Sequence, residues 1–208
     1  DITPLKERER QLNVLSRVLR HNLRNEMNVI LGRARLIRAQ TSSPVAAEAE
    51  RIGRTGRKLL ELGETYREIL DLIESETPRR RVSIVGVVRS EVQTLRTEHP
   101  TATVCVDIGC SDDVAVLAVT KIGRAVGELL ENAVVHSDRE QPDVDVRVEA
   151  TAEWVRIRVA DTGPGIPTTQ WKILTGKQEI DSLSHGSGLG LWLIYWLVTR
   201  SEGRLSFE

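Results

Sequence analysis

Leu12, Ser16, Leu19, Leu23, Met27, Ile30, Ala34 and Ile37, apolar apart from the serine, are spaced by threes and fours. That spacing predicts one face of a long helix, close to a coiled-coil seam with a single stutter. Val14, Val18, Val29 and Leu36 widen the apolar surface beyond a two-helix seam, as a four-helix bundle needs. "TSSP" at 41–44 predicts a turn: Pro44 disfavours helix for the residue before it and is itself acceptable in a first turn. A second run, from Ala46 to about Glu76, carries Ile52, Leu59, Tyr66, Ile69 and Ile73 with Glu and Arg between them. Two long helices and a short turn predict an antiparallel hairpin. One hairpin cannot cover both apolar faces, so a homodimer that closes a four-helix bundle is expected.

After "TPRRR" (77–81) the texture changes to mixed α and β. Residues 84–98 read as a helix. "TATVCVDI" (101–108) alternates as a strand, with Ala102, Val104, Val106 and Ile108 on one face. Residues 119–136 read as another helix. "DVDVRVEA" (143–150) and "WVRIRVA" (154–160) alternate with period two across a short turn, which predicts a hairpin. A last helix runs from about Gly188 to Glu202 and is expected to end at Gly203 as a C-terminal cap, with "RLSFE" as a final strand. The expected division is a linker at 1–11, a helical hairpin at 12–77, a linker at 78–82 and an α/β domain at 83–208.

Composition narrows the classes. At 208 residues and 40% apolar content there is enough for a core, and with 3% aromatics the filling must be aliphatic. No apolar run approaches the ~18 residues that cross a bilayer, and no signal peptide is visible. The chain opens on Asp1, so a cytoplasmic fragment of a longer parent, itself soluble or membrane-bound, is expected. Net charge is −1 but uneven: residues 1–40 hold nine Lys/Arg against four Asp/Glu. A basic stem suits an acidic partner, and equally a solvated helix face. Three arginines at 79–81 without interleaved aromatics do not make a nucleic-acid patch. Cys105 and Cys110 lie in one extended stretch of ~16 Å, too far apart to bridge.

Three segments carry candidate chemistry. Glu128 and Asn132 in "ELLENAVVHS" share a helix face, where a carboxylate and an amide oxygen can hold a hydrated Mg²⁺. His136 lies one turn further on and can reach a phosphate. A polar surface stripe would have the same pattern. "DTGPGIP" (161–167) puts Asp161 at a strand end, able to accept from an exocyclic amine, while Gly163 and Gly165 let backbone approach a flat ring. It is also good turn chemistry by itself. "HGSGLGLWL" (185–193) leads Gly186, Gly188 and Gly190 into a helix, whose N–H groups and dipole favour phosphate. It is neither a Walker A motif nor a dinucleotide fingerprint.

In this order the three segments resemble the ATP-binding domain of the GHKL superfamily, over about residues 82–208. The resemblance implies an α/β sandwich that binds ATP with Mg²⁺. Asn132 would bind Mg²⁺ with Glu128 beside it, Asp161 would read the adenine amino group, and Gly186, Gly188 and Gly190 would border the triphosphate. Residues 167–185 would form a lid, with Lys177 near phosphate.

A helical hairpin with a histidine on its first helix, ahead of such a domain, resembles the core of a two-component sensor histidine kinase. His21, between Leu19 and Leu23, points away from the apolar stripe at about 100° per residue. Its neutral imidazole is a suitable phosphoryl carrier. The resemblance implies autophosphorylation of His21 from ATP and transfer to an aspartate of a response-regulator receiver domain. Asn22 stands where the commonest kinases carry an acid; it orients the ring but is no base. Asn25, four after His21, matches the position at which phosphatase-competent kinases place a water, which implies phosphatase activity as well. Glu128 matches the water-activating glutamate of GHKL ATPases, so an ATPase, or a silent nucleotide-binding dimerisation module, is the alternative. "LRHNLRNEMNVILG" and "GSGLGLWLIYWLV" look like archaeal-type kinases, and "DIT" before "KERERQL" resembles the exit from an upstream PAS sensor domain.

Overall fold

The computed structural model describes residues 23–40, 44–74, 77–166 and 189–207. The 1–11 linker, His21, Asn22, Lys177, Gly186, Gly188 and the whole of the expected lid lie outside them. The chain divides into two compact units, Asp1–Arg67 and Glu68–Glu208. The divide falls inside a helix, earlier than the expected linker.

The first unit is an antiparallel helix pair. Helix α1 covers residues 23–40 and α2 covers Pro44–Glu74, with the proline at the first position as its missing N–H allows. Arg24 pairs with Glu64 at 2.6 Å and Arg38 with Glu50 at 2.8 Å, which sets the register of the two helices. Met27, Leu31 and Ala34 are buried, and Ala49 faces them from α2. Gly56 allows the close approach: a Cβ there would come within 2.8 Å of Met27 Cε and 3.0 Å of Leu31 Cδ2. The sequence stripe splits accordingly. Leu23, Ile30 and Ile37 on α1, and Ile52, Leu59 and Tyr66 on α2, repeat by sevens and stay exposed.

The second unit begins with the foot of α2, where Ile69 and Leu72 are buried. It continues with β1 (Arg79–Ser83), α3 (Ile84–Glu98), β2 (Thr103–Ile108), β3 (Ala115–Val119), α4 (Ile122–Val135), β4 (Asp143–Ala150), β5 (Val155–Asp161) and α5 (Leu189–Arg200). Strands β2, β4 and β5 form one sheet, with β2 parallel and β5 antiparallel to the central β4. Strands β1 and β3 pair antiparallel. Along β4, Val144, Val146 and Val148 are buried while Asp143, Asp145 and Arg147 are exposed, the period-two pattern of a half-covered sheet. The buried face packs on Val88, Val92 and Leu95 of α3 and on Val126 and Leu130 of α4. The other face is charged, with Arg147 3.0 Å from Asp107. A second core joins Ala118 and Val119 of β3 to Leu193, Ile194 and Leu197 of α5 and to the foot of α2. Each fully buried leucine or isoleucine there contributes about 1.5–3 kcal/mol.

Three expectations change. Residues 79–83, read mostly as linker, form β1, because Arg80 and Val82 pair with Ala118 and Val116. Residues 204–207 are not a strand; Leu205 and Phe207 pack instead against the second core. The left-handed residue that ends α5 is Glu202, at φ 57°, not Gly203. The Glu202 and Gly203 N–H groups donate to the Thr199 and Val198 carbonyls at 2.9 Å each, closing a Schellman turn. Gly203 is needed for proximity, since a Cβ would meet Val198 Cγ1 at 3.0 Å.

Candidate functional site

Helix α4 organises the site. Its Val126, Leu130, Ala133 and Val134 are buried. Glu128 and Asn132 lie on a different face, which meets the start of α5. A Cβ on Gly190 would stand 2.8 Å from Glu128 Oε2 and 4.0 Å from Asn132 Nδ2. A side chain at position 190 would have to push aside the end of the Glu128 side chain, beside the Asn132 amide. The Asn132 amide nitrogen is buried and has no hydrogen-bond partner among the described residues. An unmet polar group of this kind costs stability unless a ligand or water engages it. Which end of the amide faces the site is an assignment, so its oxygen can equally take that position.

The C-terminal end of α4 meets the exit of β5. His136 caps the helix, its backbone N–H donating toward the Asn132 and Val134 carbonyls, and its side chain is exposed. The Gly163 N–H donates to Asp161 Oδ1 at 2.7 Å, a turn stabilised by its own aspartate. A Cβ on Gly163 would come within 2.8 Å of that oxygen and 3.1 Å of the His136 carbonyl oxygen. Gly165 takes φ +74°, where a side chain would be strained. Asp161 is exposed and retains acceptor capacity beyond the Gly163 bond. A shallow cavity of about 310 Å³ borders Asp161 and Thr162, but it opens on the charged sheet face beside Cys105 and Asp145, away from Glu128. Cys105 and Cys110 are free thiols.

Thus Glu128, Asn132 and Gly190 converge at the middle of α4, and Asp161, Gly163 and His136 at its end. Asn25 is exposed on α1. Among the described residues, no three His, Cys, Asp or Glu side chains are placed to hold a metal ion. Mg²⁺ does not need such a cage, because it keeps several waters and shares phosphate oxygens with its substrate. The oxygen donors of Glu128 and Asn132 fit that requirement.

Sequence reasoning missed the cations at the front of α4. Arg124 Nη2 lies 2.9 Å from Glu128 Oε1, one helical turn away. Arg124 Nε is 3.7 Å and Lys121 Nζ 3.1 Å from the two oxygens of Glu68, at the foot of α2. The four-residue spacing of Arg124 and Glu128 was the available signal.

Residues 118–208 match the family described as histidine kinase-, DNA gyrase B-, and HSP90-like ATPase. Over these residues, less than half of its length, the chain is similar to the GHKL-type ATPase domains. It is 24% identical to the sensor protein KdpD of Escherichia coli over 96% of its own length and 23% of that protein's. It is 30% identical to the methanogenesis regulatory histidine kinase FilI of Methanothrix harundinacea over 42% of its length and 10% of that protein's. The chain therefore spans less than a quarter of these curated relatives. Among solved structures, full-length ShkA in complex with AMPPNP superposes with a TM-score of 0.66 at 22% identity, covering 89% of this chain and 40% of that one. The histidine kinase AdeS of Acinetobacter baumannii gives 0.54 at 16% identity, with 86% of each chain covered. Histidine kinase ThkA in complex with the response regulator TrrA gives 0.55 at 20% identity, covering 81% of this chain and 51% of that one. The helical region followed by an α/β domain with mixed sheet is the architecture of these kinases. Among the described residues no helix is long and apolar enough to cross a membrane.

Proposed function

We propose that this chain transfers the γ-phosphoryl group of ATP to His21 and then to an aspartate of a response-regulator receiver domain. The observation that carries this reading is the convergence of Glu128, Asn132 and Gly190 with the Asp161–Gly163 turn along one helix of a histidine kinase ATPase domain. Asp161 accepts from the adenine amino group, and the Gly190 end of α5 borders the phosphates. Asn132, with Glu128, would hold Mg²⁺, which offsets triphosphate charge when bound. The protein's own part is mostly positioning and charge neutralisation, since phosphoryl transfer leaves little covalent work for it. On transfer, the bond from the γ-phosphorus to the bridging oxygen breaks, ADP leaves with that oxygen, and an imidazole nitrogen of His21 forms the new P–N bond. Asn22 orients the ring without accepting its proton, which passes to water as the P–N bond forms, and Asn25 positions a water for dephosphorylation.

The exposed heptad series of α1 and α2 supports a homodimer through the hairpin. An upstream sensor domain would feed the helix that carries His21. The complex of ThkA with TrrA supports a receiver domain as partner. A second reading rests on Glu128, a carboxylate beside Asn132 and positioned to activate water for ATP hydrolysis.

Incubation of the chain with Mg²⁺ and γ-labelled ATP, beside His21→Ala, separates the two. Acid-labile, base-stable label absent from the variant is expected. Release of free phosphate that survives His21→Ala and disappears in Glu128→Ala would favour the ATPase. Nucleotide binding with neither outcome would leave a silent module.

A further inference from the structure

Two cations stand at the front of α4. Lys121 is its N-cap residue, without a side-chain cap, and Arg124 lies in its first turn, which has no acidic residue. Cations there oppose the helix dipole, which favours negative charge at the N-terminus. Their placement is explained by the acids they meet. Lys121 and Arg124 both face Glu68, whose side chain is only 15% exposed. Arg124 also binds Glu128, 22% exposed, through a different guanidinium nitrogen. The fork geometry of arginine allows it to serve two carboxylates at once, which lysine cannot do in the same way.

The foot of α2 packs within this same unit. Ile69 and Leu72 are buried in the second core, and the Arg200 side chain donates to the Ile73 carbonyl at 2.7 Å. Displacement of the foot of α2 therefore moves Glu68 against Lys121 and Arg124.

We propose that Arg124 is a positioning residue that links the foot of α2 to the nucleotide site by sharing its guanidinium between Glu68 and Glu128. While Glu68 draws on Arg124, Glu128 keeps part of its charge for the Mg²⁺–nucleotide. When Glu68 withdraws, Arg124 pairs fully with Glu128 and weakens that contribution. The position of the foot of α2 thereby sets the charge presented beside Asn132. The nucleotide part of this inference rests on the ATP-binding reading above.

The test uses the whole chain and has two arms. Without nucleotide, NMR follows the Asn132 side-chain amide and the Gly190 backbone amide, which lie against Glu128. Glu68→Gln and Arg124→Ala are each expected to shift both signals. Unmoved signals in Glu68→Gln overturn the link, whatever the protein binds. In the second arm, affinity for a fluorescent ATP analogue is compared with Mg²⁺ and with chelator. Arg124→Ala is expected to tighten Mg²⁺-dependent binding by about two- to five-fold, the scale of a partly exposed ion pair. Glu68→Gln is expected to weaken it by a similar factor, and Arg124→Lys to fall between wild type and alanine. In a Glu128→Gln background both effects are expected to vanish. Effects that persist there, or that appear equally in chelator, overturn the proposal in favour of a direct contact between Arg124 and phosphate. If the wild type binds no nucleotide while the NMR signals still move, the ATP reading fails and the link between Glu68 and Glu128 stands.

Discussion

Gly190 on α5 lies so close to the Glu128 carboxylate on α4 that a Cβ would reach within 2.8 Å of Oε2. Asn132 Nδ2 lies 4.0 Å from the same position, so the start of α5 borders both Glu128 and Asn132 of α4. Gly190→Ala is expected to displace Glu128 and lower ATP affinity by about ten-fold, or ~1.4 kcal/mol. Alanine is the better helix former by about 0.8–1 kcal/mol, so thermal stability is expected to stay level or rise. Binding and melting measured on the same variant check this. Unchanged affinity would mean that the Glu128 side chain swings away freely.

Glu91 on α3 projects onto α4 at two glycines. A Cβ on Gly123 or Gly127 would lie 3.1 or 2.8 Å from its carboxylate oxygens. Burial raises its pKa above the usual carboxylate value; Arg124 opposes the shift and Glu98 adds to it. A raised folded-state pKa means that the folded chain binds more protons than the unfolded one in this range. Stability on this account falls as pH rises from the ordinary glutamate value through the raised one. Glu91→Gln removes the titration. The variant is expected to gain a few tenths of a kcal/mol over wild type at pH 7, the scale of a half-buried charge still screened by solvent. The gain should fade in acid, where Glu91 is protonated in both states. Denaturant midpoints across pH measure it, and a difference that is constant with pH would exclude the carboxyl as its source.

The helices and the alternating strands β2, β4 and β5 were legible because each buries one face, so the period of the apolar residues reports the element. The short strand β1 was not. Its Arg79–Arg80–Arg81 run gives no alternation, and its partner β3 comes more than thirty residues later. Its pairing is a tertiary fact. The site motifs were legible as types, since the Asp161–Gly163 bond and the positive φ of Gly165 belong to one local turn. The Glu68–Arg124–Glu128 chain was not, because Glu68 lies far from α4 in sequence and reads there as one more solvated charge. On the hairpin, the sequence could not tell the face between α1 and α2 from the outward one. Both are apolar, and small buried residues such as Ala34, Ala49 and Gly56 mark the inner side.

That inner side predicts a response to bulk. Gly56 lets Met27 and Leu31 pack against the α2 backbone. Gly56→Ile adds a branched side chain where a first carbon already stands within 2.8 Å of Met27 Cε. Overpacking of this kind costs about 1–3 kcal/mol. The variant is expected to lose helical signal at lower temperature while nucleotide binding by the second unit persists. Met27→Ala in the same chain should recover part of the loss by making room. Lack of any such recovery would place the strain elsewhere.

The most selective prediction concerns Asp161. Its Oδ1 already accepts the Gly163 N–H at 2.7 Å, so the turn survives in Asp161→Asn, whose single carbonyl oxygen can take the same bond. What remains of the asparagine is an amide donor. In the proposed site it then faces the exocyclic amine of adenine, a donor against a donor. Guanine presents an oxygen at the equivalent place and suffers no such opposition. Asp161→Asn is therefore expected to lower ATP affinity by ten-fold or more, about the cost of a buried group left unpaired. GTP binding should weaken less or improve, and stability should stay within about 0.5 kcal/mol of wild type. Competition of the two nucleotides against a fluorescent analogue reads the ratio. Equal losses for ATP and GTP would mean that Asp161 supports the turn but does not read the base.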